Sequence, residues 1–256
     1  MVLSEPQVLA WLGSFVWPFL RVTGLFLTAP VFSSSLIPAQ VKAILVLGLS
    51  FALALWVPNL PPFPAYPAAA ILQIIVQLSV GAAIGLINQI MVYAVASAGE
   101  IAGLSIGFSF AVLQFRDAAG ESQALYNLFL WLGLMGYIAL GGPVWSFAAL
   151  AHSFHGGDLT GISFSNWHQF ALFGGSLLTS AVMLAAPVLA VALCINLSVG
   201  LLTVFAPQLN LLSVGFPMLI LAGLATLTLS LAFYGGPFER MSDAAAQAVA
   251  LMLSHG

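Results

Sequence analysis

Long apolar stretches, divided by short clusters of proline, glycine and polar residues, fill most of this chain. Those clusters separate six hydrophobic segments, each bounded by turn or helix-stop signals. The first covers residues 8–29, with Trp17-Pro18 predicting a kink and Arg21 placing a charge at depth. The second covers residues 39–57, with Lys42 near one end. Residues 58–67, PNLPPFPAYP, hold five prolines and predict an extended connector at an interface. The third segment, residues 68–98, is proline-free after Pro67 and longer than a ~30 Å hydrocarbon core requires, so it should tilt or project. A fourth, residues 122–150, is interrupted by Gly141-Gly142-Pro143; the fifth and sixth cover residues 167–197 and 211–235. Pro187 and Pro217 should break the two late helices. Residues 237–256 differ in kind. Phe238, Met241, Ala245, Val249 and Met252 recur at helical spacing while Glu239, Arg240, Ser242, Asp243 and Gln247 take the other face. That pattern predicts an amphipathic helix on a membrane surface or against a partner helix, or a solvent-facing tail.

Charge sharpens the picture. The chain has four Lys or Arg and seven Asp or Glu in 256 residues, whereas a soluble chain of this length would carry roughly sixty charges. Charge-free gaps of 57, 36 and 80 residues lie between Lys42 and Glu100, Glu121 and Asp158, and Asp158 and Glu239. An apolar run well beyond about eighteen residues is long enough to cross a bilayer. The expected fold is all-α and polytopic, helical hairpins forming one integral membrane domain over residues 1–256. With a net charge of −3 and no basic cluster, nucleic acid is excluded as a partner. Glu5 and the lack of early Lys or Arg argue against a cleaved secretory signal, so the first segment should be retained as a membrane helix. Lys42 and Arg116 fall on one side and Arg240 on the other, which leaves orientation open.

Candidate functional groups are few. Gly99-x3-Gly103-x3-Gly107, with Gly81-x3-Gly85 before it, clears side chains from one helix face for close packing, within the chain or with neighbours. Glu100 and Arg21 are candidate buried charges, possible partners of each other, and each is costly in hydrocarbon unless paired or hydrated. Arg116, Asp117 and Glu121 read as an interfacial loop, without a nucleophile or metal ligand beside them. His152, His155 and Asp158 step by three, but Gly156-Gly157 breaks the helix that would align them on a metal. His168 and His255 carry no motif, and Cys194 reads as helix packing. There is no HExxH, no GxSxG with plausible partners, no Gly-rich phosphate loop with Lys and no CxxC, so no catalytic residue, metal or cofactor is assigned.

Three strings, FLRVTGLFLTAPVFSSSLIPAQVK, AGEIAGLSIGFSFA and APQLNLLSVGFP, stand in this order along nearly the whole chain. Together they resemble the family of the flagellar biosynthetic protein FliR and its homologues in type III secretion. The resemblance implies a non-enzymatic subunit of a protein-export gate in the bacterial inner membrane, at the flagellar basal body. It implies FliP- and FliQ-like small membrane subunits as partners in a hetero-oligomeric helical assembly, with other export-apparatus proteins, unfolded substrates and lipid. Helices of that assembly lie partly above the bilayer plane, so six segments need not be six crossings. The family's plug maps here to Ile106, Phe108, Phe110, Val112 and Phe115, bulky apolar groups that close a narrow channel by expelling water, or else pack in a core. The late family motif maps to Pro207, Gln208, Asn210, Gly215, Phe216 and Pro217. Several family charges are absent: Val204-Phe205 stand where Arg is frequent, no Lys follows Pro217, Arg116-Asp117-Ala118 replace an Asp-Pro, and Pro143 replaces a His. The early and central strings lean toward the flagellar rather than the injectisome branch. A self-sufficient proton-coupled transporter using Glu100 and Arg21 is the alternative reading.

Overall fold

A computed structural model describes residues 5–34, 37–57, 60–107, 124–154, 167–205 and 211–253. Among these residues every regular element is a helix: α1 (Glu5–Thr28), α2 (Pro30–Ser33), α3 (Ala39–Trp56), α4 (Pro67–Ser105), α5 (Ala124–Ala139), α6 (Gly142–His152), α7 (Trp167–Phe205), α8 (Leu211–Ser230) and α9 (Gly235–Leu253), with a 3₁₀ turn at Leu231–Phe233. Five are long and apolar enough to cross a membrane, or six if the bent pair α5–α6 is one span. The all-α polytopic expectation therefore holds.

Proline and glycine set several boundaries and fail to set others. Pro38 precedes α3, and Pro143 sits in the first turn of α6, where the missing N–H costs nothing. Gly141 ends α5 at φ 73°, a left-handed conformation natural to glycine, and the chain bends there by 58°. Residues 60–66 carry no helix, as the prolines dictate. Pro187 and Pro217, expected to break their helices, instead lie inside continuous helices. One proline removes a single backbone bond, and a long apolar helix tolerates that when neighbours support it. At 39 residues, α4 and α7 are each about 58 Å long, nearly twice a ~30 Å hydrocarbon core.

The chain forms two compact units. One comprises Met1–Ile90, Tyr137–Phe173 and Asp243–Gly256, the other Met91–Gly136 and Gly174–Ser242. The boundaries fall inside α4, α5, α7 and α9. No change of composition marks them, since a helix running from one unit into the next needs no linker.

In the first unit α1 packs on α3 and, through glycines, on α4. Trp17 is wholly buried, stacks on Phe63 with ring centroids 5.3 Å apart, and donates its Nε1–H to the Pro61 carbonyl at 2.9 Å. That bond, with Phe63 N–H to Leu9 O at 2.9 Å, lays the proline connector along α1. A methyl group at Gly13 would sit 2.9 Å from Phe63 N, so the connector seats only on a glycine. Helix α9 is amphipathic, with Glu239, Arg240 and Asp243 exposed. On its apolar face Phe238, Met241, Ala245 and Val249 are buried. Each large side chain so buried contributes about 1.5–3 kcal/mol relative to exposure.

Candidate functional site

Helices α1 and α4 meet backbone to backbone. A methyl group at Gly81 would overlap the Arg21 carbonyl; at Gly24 it would lie 2.8 Å from Ala82 N, and at Gly85 2.8 Å from Ala29 N. Thr28 Oγ1 donates across the crossing to the Ala82 carbonyl at 2.8 Å. Small residues let two helices approach this closely without any side-chain spacer. The glycines Gly81 and Gly85 thus meet α1 of the same chain.

Arg21 projects from this crossing and is 1% exposed. Its Nε donates to Gln77 Oε1 of α4 at 2.6 Å and its Nη1 to Ser153 Oγ, just beyond α6. The guanidinium carbon lies 4.0 Å from the centroid of the Phe154 ring. These partners are all neutral; the aromatic face supplies electrostatic compensation worth about 2 kcal/mol in a desolvated site. Arg21 therefore ties α1, α4 and the end of α6 together. Glu100, expected as a buried charge, is exposed at the surface of the second unit, because its neighbour Gly99 takes the packed face of α4.

A second polar cluster sits at the α5–α6 bend and was not anticipated. Ser146 Oγ donates to the Gly142 carbonyl at 2.7 Å, lies 3.0 Å from Tyr137 Oη, and accepts from Asn88 Nδ2 at 3.2 Å. Asn88 Nδ2 also donates to Ile84 O at 2.7 Å, while Asn88 Oδ1 is buried without a partner. Asn88, Tyr137 and Ser146 are each at most 1% exposed. The Tyr137 ring fills the space a Cβ on Gly142 would need, so the bend is fixed by packing as well as by hydrogen bonds. Isolated polar residues in apolar text have no spacing to reveal them. Their only signal is rarity: Gln73, Gln77, Asn88 and Gln89 are the amide side chains of α4.

In the second unit the central and late strings come together. Gly99 packs under Leu125 and Phe129 of α5, where a methyl group would sit 2.7 Å from Phe129 Cβ; Gly103 faces Leu125 at 3.4 Å. Gly107 has φ 75° and ends the helical run rather than extending its packing face, with the Phe216 ring 3.0 Å from where a Cβ would stand. Ile106 is wholly buried, its side chain filling the space above Gly223 of α8. Ile106 is thus a packing anchor in this chain. Gly215 is buried, and Phe216 and Pro217 lie within α8. The other plug positions, Phe108, Phe110, Val112 and Phe115, lie outside the described residues, as do Pro207, Gln208 and Asn210 of the late motif. Arg116, Asp117, Glu121, His155 and Asp158 lie outside them as well.

Among the described residues no group of three or more His, Cys, Asp or Glu is placed to hold a metal. Cys194 is exposed on α7 rather than packed. An apolar groove of about 430 Å³ lies between α7 and the α8–α9 corner, and Tyr234 Oη beside it donates to Leu184 O at 3.1 Å. What these sites share is close interlocking of helices; none pairs a nucleophile with a base. They define an integral membrane protein built around glycine-mediated helix contacts and a few buried polar ties.

Comparison with known proteins specifies the class. The model of the family "Bacterial export proteins, family 1" matches residues 12–245, and the chain belongs to that family. The chain is 33% identical over 228 residues to the flagellar biosynthetic protein FliR of Escherichia coli strain K12, covering 87% of this chain and 85% of the relative. It is 34% identical over 228 residues to the FliR of Pectobacterium carotovorum, covering 86% and 85%. The FliR of Aquifex aeolicus is 30% identical over 218 residues, 83% of each chain.

Proposed function

We propose that this chain is a structural, non-enzymatic subunit of the flagellar protein-export gate. It helps to form the channel through which unfolded substrates cross the inner membrane at the basal body. The observation that carries this reading is the whole-length family match, supported by relatives 33% and 34% identical that are named flagellar biosynthetic protein FliR. FliP- and FliQ-like small membrane subunits are the partners that reading assigns, with other export-apparatus membrane proteins around them. The geometry of the second unit supports a gate in one respect. Ile106 and Gly107, held by Gly223 and Phe216, form a fixed base immediately before the segment holding Phe108, Phe110, Val112 and Phe115. An apolar plug needs such an anchored root if it is to close at one position. Apolar side chains in a narrow channel block ions by dewetting and still yield to a polypeptide.

The test is genetic. Deleting the gene should abolish export of flagellar filament subunits while general secretion continues, and the plasmid-borne gene should restore it. A deletion strain that still builds filaments would overturn the proposal.

A further inference from the structure

Helix α3 carries a face that the chain leaves uncovered. Its inward stripe is narrow: Val46, Ser50 and Leu53, followed by Val57 just past the helix, are buried at steps of four, three and four. On the remaining surface Ile44, Leu47, Phe51 and Leu55 are between 50 and 74% exposed. At about 100° per residue these positions and their neighbours spread over roughly 180° of the helix, wider than the ~100° stripe one docked helix covers. Between Lys42 and Trp56 the only polar side chain is Ser50, and it is turned inward, donating to Val46 O at 2.6 Å. The exposed face therefore offers no side-chain hydrogen bond to water.

The ends of the helix differ from its middle. Trp56 closes α3 and is 62% exposed. The connector that follows is pinned to α1 through Phe63 and Leu9 and through Trp17 and Pro61, which brings two further aromatics, Trp11 and Tyr66, to this end. Those two are 78 and 80% exposed. At the opposite end Lys42 extends its ammonium group to the Ser34 carbonyl at 2.8 Å. Exposed Trp and Tyr gather at membrane–water boundaries, and a lysine near a helix end reaches out of the hydrocarbon. The 18 residues of α3 span about 27 Å, close to a ~30 Å hydrocarbon core. We infer that α3 is a lipid-facing span, its outer half-cylinder covered by phospholipid acyl chains, with Trp11, Trp56 and Tyr66 at one bilayer interface and Lys42 at the other. This inference rests on the chain being a membrane protein and not on the export role.

The test places single spin labels on the full chain with Cys194→Ser, purified with whatever subunits accompany it and reconstituted into phosphatidylcholine–phosphatidylglycerol vesicles. Leu47→Cys and Phe51→Cys probe the outer face, Leu53→Cys the inner stripe, and Ile44→Cys and Leu55→Cys replace either outer site if it fails to fold. Collision with oxygen, which partitions into hydrocarbon, should be several-fold greater at the outer sites than at Leu53, while collision with a water-soluble nickel chelate stays low. Low access to both reagents at every outer site would overturn the inference, since a protein helix seated over Gly48 and Ala52 would then cover the face. High nickel access would overturn it in favour of water. Export by a strain lacking the gene is scored separately: filament export that continues there, with high oxygen access in the labelled protein, counts against the gate proposal and leaves the lipid face standing.

Discussion

Gly81 and Gly48 lie in helices of the same unit, yet the same added methyl group should move them in opposite directions. At Gly81 it collides with the Arg21 backbone, which has no rotamer to yield; at Gly48 nothing lies within 4 Å. Gly81→Ala should therefore destabilise the protein by about 1–3 kcal/mol through overpacking. Gly48→Ala should be neutral or stabilising by up to about 1 kcal/mol, because alanine is the better helix former. Thermal unfolding of the detergent-solubilised variants checks both, and equal effects would remove the distinction. Arg21 gives a second contrast. Lysine keeps the desolvated charge but cannot reproduce the two-pronged bonding to Gln77 and Ser153, so Arg21→Lys should cost about 1.5–3 kcal/mol. Arg21→Met removes the buried charge altogether and should cost less than lysine does. A melting temperature lower for methionine than for lysine would show that the charge itself, not the fork, stabilises the crossing. The sequence marked Gly81, Gly85 and Arg21 as unusual, but not their shared crossing. That needs the register of α1 on α4, which no spacing within one helix supplies.

At the scale of the element, the α5–α6 bend depends on Ser146, which serves three partners at once. Ser146→Ala should cost about 1–3 kcal/mol because it leaves the Tyr137 hydroxyl and part of the Asn88 amide buried and underbonded. Tyr137→Phe removes only its own hydroxyl and should cost less. The double variant should be scarcely worse than Ser146→Ala alone, since contacting groups are not additive. Independent, summed effects in chemical denaturation would contradict a shared hub. Helix identity was largely legible from the apolar runs, and α3 and α9 emerge close to their expected bounds. The extent of α7 was not, because Pro187 signals a break that an apolar helix with supporting neighbours absorbs. The two-unit division was also hidden, because helices rather than loops carry the chain across it.

At the scale of the whole molecule, apolar helices are the common element, and the buried Arg21 and Ser146 tie them together within the first unit. Its family was legible in three strings because they record helix contacts: Gly99 and Gly103 against α5, and Gly107 against Phe216. The plug assignment rests on that resemblance, and its expected consequence is direct. Phe108→Gly with Phe110→Gly should leave the assembled channel leaky to small ions and slow growth on expression; unchanged ion permeability in a correctly assembled complex would assign those rings to packing. The central claim is membership of a multi-subunit export gate, and the measurement closest to it is gentle-detergent purification of the tagged chain from its native membrane, with mass spectrometry of the intact complex. The account predicts a stable assembly containing two other kinds of small hydrophobic subunit; recovery as a monomer or homodimer while those subunits are expressed would contradict it.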